Sequence, residues 1–292
     1  MIDFSNYKKT LTYYGGSERK IGILIDNNEY MIKFQKYTNF GNKVYNHISE
    51  YIGSHIFELL GFNVQETYLG LYNGEEVVAC KNFNTDNFQF VPFNEVGEST
   101  LDNDKDKYQY TYEDIMDMLV DNSKLTNVEE TIRIFWEMFV VDALIGNFDR
   151  HGSNWGFLKK DNKYTIAPIF DNGSCLFPQM VDEEMMNEIM NSEDETNKRI
   201  YNFPTSQIKL KGKKSSYFEV INSLLFKECN NAVIKICKLY NQEKIDLLID
   251  STEFITKKHK EFYKYIIKQR FEKILNQSYL RLMENNYEKN SY

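Results

Sequence analysis

The chain has 292 residues, of which 42% are hydrophobic and 15% aromatic, and a formal net charge of -8. That content supports a buried core and excludes a disordered chain. The acidic balance argues against direct nucleic-acid binding, which calls for a basic face.

From the N-terminus, Gly15-Gly16-Ser17-Glu18-Arg19-Lys20 precedes an apolar run at 21–25, which turns at Asp26-Asn27-Asn28 into Tyr30-Met31-Ile32-Lys33-Phe34. Two short strands joined by a polar turn predict a hairpin with the Gly-rich segment at its open edge. Glycines there let backbone amides approach phosphate oxygens, although a simple turn is the plainer reading. Lys33 sits among apolar neighbours, and a helix predicted over 42–60 carries Glu50 between Ile48 and Ile52, so the two side chains can pair across a helix-sheet interface. Taken singly, Lys33 reads more readily as a solvated outward lysine, and Glu50 equally well as a solvated charge. Strands at 64–72 and 75–83 are joined by Asn73-Gly74, a hairpin turn. Residues 1–84 thus read as a small α/β N-terminal lobe, and 85–111, polar and acidic, read as a connection with a mobile loop.

Helical periodicity dominates 112–292, the predicted catalytic lobe. Ile132, Phe135, Trp136, Phe139, Val140 and Ala143 recur at helical spacing over 132–144. Further helices are expected at 233–240, 244–249 and 252–284. The acidic stretch 182–197 reads as a helix, either flanking the substrate entrance or simply solvated. Lys209, Lys211, Lys213 and Lys214 read as a solvated loop.

After the apolar helix come Gly146-Asn147-Phe148-Asp149-Arg150-His151-Gly152-Ser153-Asn154 and then Ile166-Ala167-Pro168-Ile169-Phe170-Asp171. An Asp, an Asn five positions later and a second Asp beyond a strand-like segment is the order in which protein kinases hold a catalytic base and two magnesium ligands. Asp and Asn also cluster in ordinary turns. A polar loop carried on a rigid, buried helix favours the catalytic reading, hence a phosphotransferase.

These motifs, with Glu50 ahead of Gly61-Phe62-Asn63-Val64 and with Val77-Val78-Ala79-Cys80-Lys81-Asn82-Phe83, resemble those of the HipA-like serine/threonine kinases. The resemblance covers nearly the whole chain, more weakly over 86–128, 180–195 and 205–250. It implies an α+β, two-lobed protein-kinase-like fold that uses ATP and Mg²⁺. Gly15, Gly16, Ser17 and Lys20 would belong to the loop over the phosphates, Lys33 would bind the α- and β-phosphates, and Glu50 would hold Lys33. The backbone around Lys81 to Phe83 would meet adenine. Asp149 would be the base, with His151 nearby, and Asn154 and Asp171 would hold Mg²⁺. The substrate would be a protein serine or threonine hydroxyl, and Ser17 is the candidate autophosphorylation site, with Arg19, Lys20 or Arg150 as partners for its phosphate.

The chain departs from the pattern by lacking the extra N-terminal subdomain of HipA, which weakens the case for a HipB-like antitoxin partner, and a monomer is expected. It also carries Ile169-Phe170-Asp171-Asn172-Gly173 in place of Asp-Phe-Gly. A small-molecule kinase of the aminoglycoside or choline type is the alternative; those carry His-x-Asp before the Asn, whereas His151 follows Asp149. A pseudokinase binding module is a third reading, disfavoured because every phosphate, base and metal position holds a competent residue type. Cys80, Cys175, Cys229 and Cys237 show no zinc spacing. Arg133, Glu137 and Asp142 interrupt the best apolar stretch, and Met1-Ile2-Asp3-Phe4-Ser5 lacks a signal-peptide pattern, so no membrane association and a cytoplasmic location are expected, with signal-less secretion left open.

Overall fold

The computed structural model describes residues 1–15, 19–84, 87–98, 111–120, 127–161 and 163–289. Two hairpins build its N-terminal sheet. Lys20–Ile25 pairs antiparallel with Asn28–Phe34 through a turn in which Asp26 and Asn27 take φ of 48° and 63°. Thr67–Tyr72 pairs with Glu75–Lys81 through Asn73-Gly74, also left-handed. Polar residues that tolerate φ > 0 give the turn a twist matching the strands. The sheet runs Ile2–Asp3, Thr67–Tyr72, Glu75–Lys81, Asn28–Phe34, Lys20–Ile25, with the first pair parallel. Residues 8–10 lie along its outer edge, where Thr10 donates to Gly22 O and Leu24 to Lys8 O, both at 2.9 Å. A Cβ at Gly22 would lie 2.0 Å from Thr10 Oγ1, so this close approach requires glycine.

Strand alternation decides which way Lys33 points. Tyr30, Ile32 and Phe34 pack with Phe4, Ile23, Val77 and Ala79 on one face. Met31, Val78 and Cys80 face the helix Asn46–Leu59, whose Ile48, Ile52 and Ile56 are fully buried. Lys33 shares the register of Met31 and therefore projects toward that helix.

The remaining chain is mostly helical around Val128–Ile145, in which Trp136, Val140, Ala143 and Leu144 are completely buried. This helix starts four residues before the expected apolar stretch because Asn127 caps it, accepting from Glu130 N, and it ends at Gly146 with φ 64°. Lys227–Leu239 and Lys257–Arg270 pack against it, while Gln242–Ser251 lies against Lys257–Arg270 and Asn46–Leu59; Lys257–Arg270 continues through a wider turn at Phe271–Asn276 into Gln277–Lys289. The acidic stretch forms two helices, Glu183–Asn191 and Glu193–Asn197, divided at Ser192. The lysine-rich stretch is a hairpin, Thr205–Leu210 with Lys213–Ser216, rather than a loop; its Lys211, Lys213 and Lys214 are solvated as expected.

Part of the expected connection is regular structure. Gln89–Pro92 pairs with Gly156–Lys160, which pairs in turn with Lys163–Ile166, and Phe93–Glu98 is a short helix. The rest of the segment read as a connection with a mobile loop, 85–86 and 99–110, lies outside the described residues. Among the described residues no helix is long and apolar enough to cross a membrane, and no disulfide joins the cysteines.

Candidate active site

The helix Asn46–Leu59 lies almost backbone to backbone on the segment 171–175. A Cβ at Gly53 would come within 2.7 Å of Asn172 Cβ, and Ser49 Oγ donates to Cys175 O at 2.7 Å. This contact sets the depth of Glu50. Lys33 Nζ lies 2.7 Å from Glu50 Oε2 and 2.9 Å from Asp171 Oδ1, and Glu50 Oε1 accepts from Asn172 N at 2.8 Å. Lys33 is 5% exposed and Glu50 1%. A lone charge at that depth would be costly, so the pairing is what permits it. Burial alone would lower the Lys33 ammonium, but the Asp171 and Glu50 carboxylates hold it well above its usual value. Burial pushes Asp171 upward; the Lys33 charge and hydrogen bond, then Arg150 and Lys20, override it and keep the carboxyl at about 2. Asp171 has φ 57°, an uncommon backbone for a non-glycine residue.

Arg150 joins this cluster to the central helix. Its Nε and Nη2 donate to the two oxygens of Asp142 at 2.9 and 3.1 Å, Nη1 to Asn154 O and Phe170 O, and Nη2 also to Asn172 Oδ1. All five guanidinium N–H groups are thereby used. The residue is 7% exposed and its donors are engaged, so Arg150 does not serve as the expected partner for a phosphate on Ser17. Burial opposes its charge and Asp142 restores it, raising the guanidinium above its ordinary value.

The loop 147–154 is held from both ends. Asn147 Nδ2 donates to Asp142 Oδ1 at 3.0 Å, Asn147 Oδ1 accepts from Asp149 N at 3.1 Å, and Tyr217 donates its hydroxyl to Asn147 O at 2.7 Å. Asn154 Nδ2 donates to Asp149 O at 2.8 Å, which orients the amide and turns its oxygen away from that carbonyl. Below the loop, Arg270, fully buried, donates to Ala143 O and Arg199 O at 2.6 and 2.5 Å, setting its charge against a helix C-terminus. The Asp149 side chain itself is 48% exposed; His151, 44% exposed, holds Nε2 at 3.8 Å from Asp149 Oδ1.

Phe83, Phe90 and Phe170 pack as a triangle with ring centroids 5.1 to 5.7 Å apart. The Lys81 side chain turns to the opposite face of the sheet and pairs with Glu66 at 3.1 Å. Its N–H is taken by Glu66 O and its carbonyl by Gln65 Nε2, so Phe83 is the better backbone candidate of the pair. Lys20 stands opposite Lys33 in register and donates to Gly15 O at 3.0 Å. Arg19 lies 3.8 Å over the Phe34 ring and pairs with Glu75 at 2.8 Å. Gly16 and Ser17 lie outside the described residues.

Residues 12–233 match the family described as the HipA-like C-terminal domain. The chain belongs to the HipA-like kinase family. The kinase is 37% identical, over 97% of its length and 89% of the relative's, to the serine/threonine-protein kinase CtkA of Helicobacter pylori. It superposes on the crystal structure of the H. pylori proinflammatory kinase CtkA with a TM-score of 0.90 at 35% identity, covering 97% of this chain and 98% of that one. A chain of the Shewanella oneidensis HipA, HipB and operator DNA complex matches at TM-score 0.58 and 14% identity over 92% of this chain and 67% of that one, a likeness of fold. The α+β kinase fold is common to all three.

The kinase brings Lys33, Glu50 and Asp171 into direct contact and sets Asp149, His151 and Asn154 on one pinned loop. Sequence reasoning missed Asp142, Asn172 and the buried function of Arg150. Asp142 gave a usable signal, as a charge inside an otherwise apolar helix; Asn172 gave none, because its partners Arg150 and Ser54 are 22 and 118 positions away.

Proposed function

We propose that this kinase transfers the γ-phosphate of ATP, in the presence of Mg²⁺, to serine or threonine hydroxyls of proteins. The observation that carries this reading is the sharing of one buried ammonium, Lys33, between Glu50 and Asp171 at 2.7 and 2.9 Å beside a loop that leaves Asp149 open to solvent. In that reading Lys33 holds the α- and β-phosphates while Glu50 keeps its position, and the Phe83 backbone meets adenine above Phe90 and Phe170. Asp149 accepts the hydroxyl proton, as a base within reach of an incoming chain.

The donor set fits a hard divalent cation. Asp171 stays ionised, and the oxygen that Lys33 does not occupy is available, while the Asn154 amide presents its oxygen because its nitrogen is engaged. Mg²⁺ bound by these two residues would supply charge neutralisation on the phosphate oxygens. The half-exposed Asp149 and His151 favour a protein acceptor over an enclosed small-molecule site. Autophosphorylation of Ser17 belongs to the same proposal. A phosphate there adds about -1.5 to -2 charges next to the place for ATP's own phosphates, and Lys20, with Arg19 if it leaves Glu75, is the cation to meet it.

The test is incubation with Mg-ATP and a protein mixture, followed by mass spectrometry. Phosphoserine and phosphothreonine should appear with the wild type and not with Asp149→Asn, and intact mass should gain a phosphate that Ser17→Ala removes. Products confined to small molecules would overturn the protein-kinase reading. By calorimetry, Asp171→Asn should weaken Mg-ATP binding at least about tenfold, because an amide replaces the anionic ligand; unchanged affinity would remove Asp171 from the metal site.

A further inference from the structure

One aromatic wall beside the catalytic loop has no part in the nucleotide site. Phe203, 46% exposed, lies 5.8 Å between ring centroids from Phe148 and 6.1 Å from Phe177. Phe148 shares a peptide bond with Asp149. The wall is held at a cost in backbone conformation. Leu176 and Phe177 both adopt left-handed φ, 57° and 56°, a region that bulky side chains rarely enter. Leu176 is anchored there by donating to Ile145 O at 2.9 Å, and the Phe177 ring is thereby aimed at Phe203. Strain of this kind in a short segment running from Asp171 points to a functional constraint on where the ring sits.

Singly exposed aromatics are common and carry no meaning alone. Position distinguishes this one. A polypeptide that delivers a hydroxyl to Asp149 must lay its neighbouring residues on the surface around Phe148, and an extended chain advances only about 3.3 Å per residue. The Phe203 ring, 5.8 Å from that of Phe148, is within the reach of a residue one or two positions from the acceptor. An apolar side chain there removes its own surface and that of Phe203 from water, whereas a charged one gives up hydration against an apolar ring.

Resting on the protein-kinase reading above, we propose that Phe203, backed by Phe148 and Phe177, is a specificity-determining residue that selects acceptor serines or threonines flanked within two residues by a large apolar side chain. The experiment uses the full chain with Mg-ATP and serine-centred peptide libraries in which each position within two residues of the acceptor is fixed in turn as Leu, Phe, Ala, Glu or Lys. For at least one position the wild type should show kcat/KM for Leu or Phe on the order of tenfold above Ala, the scale set by apolar pocket discrimination. Phe203→Ala should bring that ratio to about one while leaving kcat/KM on the Ala-fixed library unchanged, and Phe203→Leu should retain a preference. An equal fall on all libraries would assign Phe203 a merely structural role and overturn the proposal, as would a wild type without preference. Failure to phosphorylate any library or any protein would overturn the kinase reading itself, an outcome distinct from loss of preference.

Discussion

Behind the cleft, Lys33, Glu50, Asn172, Arg150 and Asp142 are each less than one-tenth exposed and form a continuous chain of hydrogen bonds from the N-terminal sheet to the central helix. In front of it, the Asp149 and His151 side chains keep 48% and 44% of their surface in water and approach only to 3.8 Å. The contrast separates two tasks. In the proposed reading, phosphate and metal would carry charge that has to be met by groups already fixed and desolvated, and the buried side is built in that way. An acceptor on another molecule would need the open side.

The comparison breaks most severely at Arg150. Arg150→Met leaves the Asp142 carboxylate and the Asn172 amide buried without their cation, and the loss of stability in denaturant unfolding should be about 3–5 kcal/mol. A loss below about 1 kcal/mol, the scale of an exposed pair, would mean that the chain of bonds does not hold the cluster together.

Acid should loosen the buried side by a route that leaves the open side untouched. Asp171 is held at about 2 in the folded protein, below the ordinary carboxylate value near 3.9. Its contribution to stability is therefore complete above about pH 4 and is lost as pH falls from there toward 2. Between pH 5 and 8 this group should give no slope. In Lys33→Met the Asp171 carboxyl loses its foremost partner and moves back toward its unfolded value, so the loss of stability between about pH 4 and 2 should shrink; an unchanged acid limb in that variant would refute the coupling.

The smallest effect is expected on the open side. His151→Ala should change folding stability by no more than about 0.5 kcal/mol, the usual range for an exposed position, and turnover far less than Asp149→Asn does. A turnover loss matching that of Asp149→Asn would instead make His151 part of the proton transfer.

What could be read from the sequence follows the same division. Lys33 and Glu50 were legible because strand alternation and flanking isoleucines fix their direction, and Asp149, Asn154 and Asp171 because their spacing is short and ordered. The work of Arg150 was not, since two of its acceptors are backbone carbonyls and the others, Asp142 and Asn172, reach it from 8 and 22 positions away without a motif spacing. The strand Gln89–Pro92 was hidden for a similar reason: four residues in a polar stretch become a strand only by pairing with Gly156–Lys160, where a Cβ on Gly156 would lie 2.3 Å from Val91 O. Glu129, Glu130 and Thr131 present no apolar stripe, so the first turn of the central helix was invisible without its Asn127 cap.

The central claim is that Asp149 performs proton transfer from an acceptor on a framework that binds nucleotide without it. It is tested most directly by single-turnover phosphoryl transfer from labelled Mg-ATP, comparing the wild type with Asp149→Asn at matched nucleotide occupancy. The account predicts a rate at least about 10²-fold lower in the variant with Mg-ATP affinity and folding stability unchanged. Equal transfer rates would contradict it.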